Sequence, residues 1–316
     1  MRTVIFFWAV LVVAIATAGD ERQRNAFDHD ILAETFGYGP DTESLVDYEA
    51  LYQGCPRRDC IPAIDDPVYV PATEADFMAP DTIILGIDYG GEQRAYPLPI
   101  MDHHEIVNDE VGGQPVAVTW CPLCGSGIVF DRVVDGETLS FGVSGLLHES
   151  DLVMYDRKTK SLWQQISGDA IMGPKMGTEL KALPSTMTEW STWREAHADT
   201  LVLTPAVMSV DYFEAQAYAS YAESERLAFP VSRRDLTIHP KTVVYGFEFD
   251  EQSLAVMESS LDESGALEAS VGDIQLRVER LEDGSVIATD QAGQRHEPIR
   301  LFWFAWYSFH PDTEKI

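Results

Sequence analysis

The residues best suited to chemistry are Cys121 and Cys124, in the run WCPLCG at positions 120–125. The run ends an apolar stretch, and a Cys-x-x-Cys turn can direct two sulfur atoms at one point. Gly125 can adopt a positive φ without steric cost, which lets such a turn close tightly. The pair therefore suits either a metal ion or a reversible disulfide, and its spacing alone does not decide between them.

Two histidines lie in dense motifs on either side of this turn. His104 belongs to HHEIVND at 103–109, and His148 belongs to SGLLHES at 144–150. Mixed thiolate and imidazole ligands suit Zn²⁺ or copper, whereas an ion that prefers oxygen would select the abundant carboxylates. We therefore predict a zinc or copper site formed by Cys121, Cys124, His104 and His148. Three ligands with His104 would leave an open position for catalysis, whereas His148 as a fourth would favour a structural role.

Two other interpretations need no metal. The cysteines could cycle between dithiol and disulfide, although residues 125–127 read GSG and β-branched residues follow, so activation by a helix N-terminus is not expected. Alternatively, the turn is only structural and the chain is a non-catalytic binding module. The spacing excludes c-type haem attachment, and the chain has neither a GxSxG elbow nor a glycine-rich phosphate loop opening a helix.

A second cysteine pair, Cys55 and Cys60, lies in GCPRRDC at 54–60. In an oxidising compartment the simplest outcome is a disulfide between them. Closing a loop this short removes little conformational entropy from the unfolded chain, so the bond would stabilise a local turn rather than the whole fold.

Residues 1–18 read as a signal peptide. One basic residue precedes a short apolar core, and ATA at 16–18 fits the small-x-small cleavage rule. The apolar run is short for a full membrane span, which needs about 20 residues. We therefore expect cleavage after Ala18, export to the periplasm or cell exterior, and no stable membrane span afterwards.

The charge of the chain limits its partners. It has 52 acidic and 22 basic residues and a formal net charge of −30. Such a field disfavours nucleic acid and anionic lipid. A solvated acidic surface accounts for this composition, and the partner is expected to be a small molecule or another protein of the cell envelope.

The pattern of strands and turns predicts an α+β fold, a β-rich single domain with a mainly antiparallel sheet core and a few covering helices. We expect a flexible arm over 19–45 and one domain over 46–316, with 243–289 as an inserted subdomain. Hairpins are predicted at Gly90-Gly91 and at Asp135-Gly136. A helix is predicted over 188–197 and a buried strand over 301–307, and no internal repeat is apparent.

The run from residue 86 to about residue 203 resembles the prokaryotic domain-of-unknown-function family three-one-seven-nine. The motifs that carry this resemblance are RAYP (94–97), HEIVND (104–109), CPLCGS (121–126), FDR (130–132), FGVSGLL (141–147), LVMYDR (152–157) and SLW (161–163). Shorter pieces agree on both sides, namely IPAID (61–65), FWFAW (302–306) and PDT (311–313). The resemblance implies an exported or membrane-associated protein, and it implies no particular reaction.

Overall fold

The computed structural model describes residues 29–205, 212–213, 218–250 and 252–316. The predicted signal peptide and residues 19–28 of the predicted arm lie outside this part of the chain. The fold is β-rich, with mostly antiparallel sheets and few helices, as the sequence predicts. Within the described residues, no helix has the length and apolar character needed to cross a membrane.

The strands and helices are short and follow one another closely along the chain. In chain order the strands are β1 (Tyr52–Gln53), β2 (Tyr69–Pro71), β3 (Ile83–Tyr89), β4 (Glu92–Pro97), β5 (Ile106–Val111), β6 (Gln114–Cys121), β7 (Ser126–Asp131), β8 (Val133–Val134), β9 (Glu137–Thr138), β10 (Phe141–His148), β11 (Asp151–Asp156), β12 (Leu162–Gln164), β13 (Ala170–Met172), β14 (Ala182–Leu183), β15 (Thr186–Glu189), β16 (Leu201–Leu203), β17 (Val243–Phe249), β18 (Gln252–Met257), β19 (Ala266–Val271), β20 (Ile274–Arg280), β21 (Val286–Asp290), β22 (Arg295–His296), β23 (Ile299–Phe302) and β24 (Glu314–Lys315). Among the described residues the α-helices are His29–Phe36, Leu98–Met101, Trp190–Ala196, Ala219–Ala222, Glu258–Ser264 and Trp303–Phe309, and the 3₁₀ turns are Tyr48–Ala50 and Ala72–Glu74.

Two parts of the chain adopt the same arrangement, which the sequence analysis missed. In the first part the strand order is β15-β3-β4-β16, and in the second it is β23-β17-β18-β24. In both sheets the first pair of strands is antiparallel and the last pair is parallel. Each hairpin is followed by a short helix and then by an antiparallel meander, β5-β6-β7 in the first and β19-β20-β21 in the second. The expectation of no internal repeat was therefore wrong at the level of structure.

Side-chain contacts repeat as well. The indole of Trp193 donates to the Thr200 hydroxyl at 3.1 Å, and that of Trp306 donates to the Thr313 hydroxyl at 3.0 Å. Each indole also lies against a histidine ring four residues later, with ring centroids 4.0 and 3.9 Å apart. Residues of the same type at corresponding positions are Pro80/Pro240, Thr82/Thr242, Gly86/Gly246, Val111/Val271, Gly112/Gly272, Gly125/Gly284, Asp131/Asp290, Trp190/Trp303, Trp193/Trp306, His197/His310 and Thr200/Thr313.

The first copy differs from the second by a large insertion. Between β7 and β15 the chain adds strands β8–β13, whereas β21 and β23 of the second copy are separated mainly by β22. Most of the insertion forms the antiparallel sheet β1-β10-β11-β12-β13, which packs beside β5 and β6. The meander turn of the first copy holds Cys121 and Cys124, and the corresponding turn of the second copy has no cysteine. The candidate chemistry therefore belongs to the first copy and its insertion.

A glycine in each copy makes room for the indole that packs on it. A Cβ added to Gly86 would lie 2.7 Å from ring carbons of Trp193, and one added to Gly246 would overlap the ring of Trp306. We expect Gly86→Ala and Gly246→Ala each to lower the free energy of unfolding by about 1–3 kcal/mol, because both cores would be overpacked. Gly39→Ala, which meets nothing within 4 Å, is the matched control for urea unfolding. A change below about 0.5 kcal/mol in either indole-facing variant would contradict this packing.

The structure differs from two of the sequence predictions. The strand predicted over 301–307 is wrong, since β23 ends at Phe302 and a helix, Trp303–Phe309, follows. A continuous apolar run cannot distinguish a buried strand from a buried helix, and here the same residues are buried in a helix. Part of the predicted flexible arm is packed, because the helix His29–Phe36 buries Leu32 and Phe36 against the insertion sheet.

The hairpin predictions hold in part. The turn at Gly90-Gly91 joins β3 to β4, as expected. The turn at Asp135-Gly136 joins only the two-residue strands β8 and β9, because β10 pairs with β11 rather than with β7. The inserted subdomain over 243–289 stays a prediction; these residues form much of the second copy of the repeat, and several of their apolar side chains form a separate cluster. The helix predicted over 188–197 is present as Trp190–Ala196.

Candidate metal centre

The Cys-x-x-Cys turn closes the hairpin between β6 and β7. Cys121 is the last residue of β6, and it is the cross-strand partner of Ser126. The backbone N–H of Cys124 donates to the Cys121 carbonyl oxygen at 3.2 Å, and Gly125 has a φ of 63°. Both thiols are free and buried. The turn is thus held by its own backbone and by the strands on either side.

The second copy of the repeat contacts this turn and holds it in place. The backbone N–H of Phe302 donates to the Cys124 carbonyl oxygen at 2.8 Å. A Cβ at Gly125 would lie about 3.0 Å from the Phe302 ring, so only glycine fits this position without moving the ring. The position of the sulfur atoms therefore depends on the second copy, although that copy has no cysteines in its own turn.

The insertion brings a carboxylate to the two sulfurs. Asp151 begins β11, directly after the two-residue turn Glu149-Ser150. Ligand atoms of Cys121, Cys124 and Asp151 all lie within 4.8 Å of one another, and the three residues are buried. One Asp151 oxygen accepts from Gln164 Nε2 at 2.6 Å and from the Ile166 N–H at 3.0 Å. The other oxygen, Oδ1, is buried and has no hydrogen-bond partner within the described residues.

Burial makes these groups hard to ionise. Burial raises the pKa of Asp151 to about 6, although Gln164, the Ile166 N–H and the thiols of Cys121 and Cys124 stabilise its charged form. Burial also raises the pKa of Cys121, with Asp151 and Glu105 adding to the rise. The pKa of Cys124 lies well above its ordinary value, again because of burial first and then Cys121 and Asp151.

A fourth acid, Glu105, lies beside the three. Burial raises the pKa of Glu105 to about 8, and the charges of Asp102 and Asp151 add to this rise. In the described part of the chain, no Lys or Arg forms an ion pair with Glu105, Asp151 or either cysteine. Burial without a partner favours the neutral forms of these groups, and a bound cation would favour their ionised forms.

The two predicted histidine ligands are not members of this group. His104 Nδ1 donates to the Pro62 carbonyl oxygen at 2.8 Å, and its Nε2 accepts from the Tyr212 hydroxyl at 3.2 Å. Burial lowers the pKa of His104, so its ring is neutral at pH 7. His148 Nδ1 lies 2.8 Å from Gln164 Oε1 and its Nε2 lies 4.0 Å from Glu149. The structure thus unites the two predicted cysteines with Asp151 rather than with His104 or His148.

Two adjacent glutamines position the centre. Gln164 holds the Asp151 carboxylate and also contacts His148. Gln165 Nε2 donates to Thr119 Oγ1 at 3.0 Å, and its Oε1 accepts from Ser126 Oγ at 2.8 Å. These bonds fasten the insertion sheet to both strands that lead to the cysteine turn. Such supporting contacts orient ligands and set their affinity for a metal.

The turn before Asp151 is strained. Glu149 and Ser150 have φ values of 52° and 61°, and two positive φ values in a two-residue hairpin are normally adopted by Asn-Gly. Each left-handed residue with a side chain costs about 1–2 kcal/mol. The thiol of Cys124 donates to the Ser150 carbonyl oxygen at 3.4 Å, so the strained turn also contacts the site. Strain of this kind is concentrated at functional sites.

Ser150→Gly should raise the free energy of unfolding by about 1–2 kcal/mol. Glycine adopts this φ without penalty, and the buried Ser150 hydroxyl lies near the Tyr221 hydroxyl without a hydrogen bond of normal geometry. Ser144→Gly, in the preceding strand, is the matched control. It should be destabilising, because the Ser144 hydroxyl bonds Val153 and Leu146. A loss of stability in Ser150→Gly, measured by chemical denaturation, would contradict the assigned strain.

The other cysteine pair forms the predicted disulfide. Cys55 and Cys60 are joined, with Cα atoms 6.3 Å apart. The loop packs against β10, where the N–H groups of Gly54 and Cys55 donate to the Gly145 carbonyl oxygen. The disulfide therefore braces a local loop beside the insertion, which is the role that its short span predicts.

The family comparison agrees with the resemblance seen in the sequence. Residues 58–297 match the family model described as "Protein of unknown function (DUF3179)". The chain belongs to this family. No curated protein matches it, and no solved structure matches it either.

The family model includes the whole candidate centre. It also includes both glutamines and the insertion, but it ends before the helix Trp303–Phe309 of the second copy. The match therefore places the site within the family region without assigning it a reaction.

Asp151 and Glu105 were the site residues that sequence reasoning missed. Asp151 is separated from the cysteines by a whole hairpin, so no local spacing connects them. One feature of the sequence pointed to Asp151. This charged residue directly precedes the apolar strand residues 152–155, and the tight turn before it contains neither Gly nor Asn. Glu105 lies in the motif HHEIVND, from which only His104 was predicted as a ligand. Its positive φ of 56° is visible only in the structure.

Proposed function

We propose that the protein binds one metal ion through Cys121, Cys124 and Asp151. The observation that carries this proposal is the buried cluster of two thiols and a carboxylate, one oxygen of which has no partner in the described residues. Binding displaces the thiol protons, because the thiolate is the metal ligand. The cation then stabilises charges that the protein alone leaves uncompensated.

Zn²⁺ fits the donor set better than copper does. Two thiolates and one carboxylate oxygen suit a borderline ion, whereas Cu⁺ prefers soft sulfur ligands throughout. Three protein ligands leave a fourth position of a tetrahedral ion open, as in catalytic zinc sites. The centre therefore supports an enzyme of the cell envelope that acts on a small molecule, with redox catalysis as the variant expected if the ion is copper.

Export is part of the same proposal. The signal-like residues 1–18 support it, and so does the Cys55–Cys60 disulfide, since such bonds persist in oxidising compartments. In that setting a bound ion would protect the second cysteine pair from oxidation. This explains how one chain can hold a disulfide and two free thiols.

A metal-free thiol–disulfide protein is the alternative. The proximity of the two sulfurs supports it, but the raised pKa values of both thiols oppose it, because exchange needs an accessible thiolate. The non-catalytic binding module remains a second alternative, and it leaves the unpartnered Asp151 oxygen unexplained.

Elemental analysis of natively exported protein, purified without chelator, tests the proposal together with a free-thiol count. We expect about one zinc per chain and two thiols that react only after the metal is removed. Metal-free protein with reduced cysteines would contradict it, and a reversible two-electron couple without metal would support the thiol–disulfide alternative.

A further inference from the structure

An apolar pocket lies over the Cys-x-x-Cys turn. Its volume is about 190 Å³, and Leu123, the residue between Pro122 and Cys124, forms part of its wall. The pocket therefore borders the candidate centre. The apolar residues that line it include Ile61, Leu123, Val143, Leu146, Leu152 and Phe229.

The ionisable side chains among the described residues of the lining are Glu105 and Tyr218. Glu105 is only 8% exposed, and its carboxyl group has no hydrogen-bond or ion-pair partner in the described residues. Burial raises the pKa of Tyr218 to about 12, with the charge of Glu105 as the next cause. No basic side chain is among the described residues of the lining, although Arg226 lines the adjoining cleft.

We propose that this pocket binds a small primary amine with an apolar body, and that its ammonium group pairs with the Glu105 carboxylate. Burial keeps Glu105 largely protonated in the empty pocket at pH 7, so binding of the ammonium ion displaces this proton to solvent and leaves an ammonium–carboxylate pair. An anionic ligand finds no basic side chain among the described residues of the lining.

The size of the pocket limits the ligand. A cavity of about 150 Å³ holds benzene, so one slightly larger accommodates an amine of about seven to nine non-hydrogen atoms. The inference goes beyond the metal centre, since the amine contacts Glu105 rather than the proposed ligands. It rests on the proposed function only for the idea that the bound molecule lies beside the ion.

Titration calorimetry of the full chain with benzylamine, benzyl alcohol and benzoate at pH 7 tests the proposal. Benzylamine should bind at least tenfold more tightly than benzyl alcohol, which corresponds to about 1.4 kcal/mol, and benzoate should not saturate. Glu105→Gln should remove the preference for the amine. Glu110→Gln, at an exposed position of the strand β5 that follows Glu105, should leave it unchanged.

Zinc content measured on the same samples separates this proposal from the metal centre. Glu105→Gln should lose the amine and keep the zinc, whereas Cys121→Ser should lose the zinc and keep the amine. Equal binding of benzylamine by wild type and a folded Glu105→Gln variant would overturn the inference. Tighter binding of benzoate, or no saturable binding of any of the three compounds, would overturn it as well.

Discussion

Replacing Cys121 with serine should lower zinc affinity by at least 100-fold and abolish stoichiometric metal in purified protein. A serine hydroxyl does not ionise at neutral pH, so the centre would lose one of its two thiolates. Asp151→Asn should have a similar but smaller effect, because it keeps the shape and removes the charged oxygen ligand. Competition with a zinc chelator measures both affinities; argon keeps Cys121 and Cys124 reduced, and the omission of reductant retains the Cys55–Cys60 disulfide.

The strand that holds Asp151 offers a matched control. Asp156 lies at the other end of β11 and is equally buried, but its carboxylate is occupied by Thr159 and Trp163. Asp156→Asn should reduce stability and leave zinc affinity unchanged. If Asp151→Asn retained wild-type affinity while Cys121→Ser lost it, the carboxylate would be excluded as a ligand.

The metal-free protein should lose stability as the pH rises from about 4.5 to about 8. Burial raises the pKa of Glu105 from 4.5 to about 8, so the folded state holds this proton more tightly than the unfolded state does. The stabilisation is complete below the unfolded pKa and disappears as the pH passes the folded one. Asp151 contributes with the same sign, between 3.8 and about 6. Together these shifts correspond to several kcal/mol.

Urea unfolding of chelator-treated protein at pH 5 and pH 8 measures this slope. Glu105→Gln should flatten most of it, because an amide does not titrate, whereas Glu110→Gln should not. Zinc-loaded protein should show the opposite trend, since metal affinity rises as ligands lose protons. A Glu105→Gln variant with the full wild-type slope would contradict the assigned burial of this acid.

The cysteine turn of this site could be predicted from the sequence, whereas its contact with Asp151, which is distant in sequence, could not. Cys121, Cys124 and the hairpin that holds them follow from a short motif, because a turn of this kind is specified by adjacent residues. Asp151 reaches the cysteines only through the pairing of β10 with β11 and through Gln164. His104 was favoured because it lies in a dense motif, and its bonds to Pro62 and Tyr212 could not be foreseen.

The repeat was missed for a related reason. The two copies agree in residue type at turns and at the Gly–Trp–His–Thr contacts, and these positions are scattered over long intervals. The insertion of strands β8–β13 into the first copy hides the common period. The β-rich fold class, by contrast, could be predicted, because it depends on local patterns of strand and turn residues that occur along the whole chain.

X-ray absorption at the metal K-edge of natively loaded protein tests the central claim most directly. The proposed centre predicts two sulfur ligands at about 2.3 Å and one or two oxygen ligands at about 2.0 Å, without the multiple scattering that an imidazole ring produces. The oxygen ligands are the Asp151 carboxylate and a molecule at the open position. An imidazole signature would assign the site to His104 or His148 instead of Asp151, and the absence of sulfur would contradict the centre altogether.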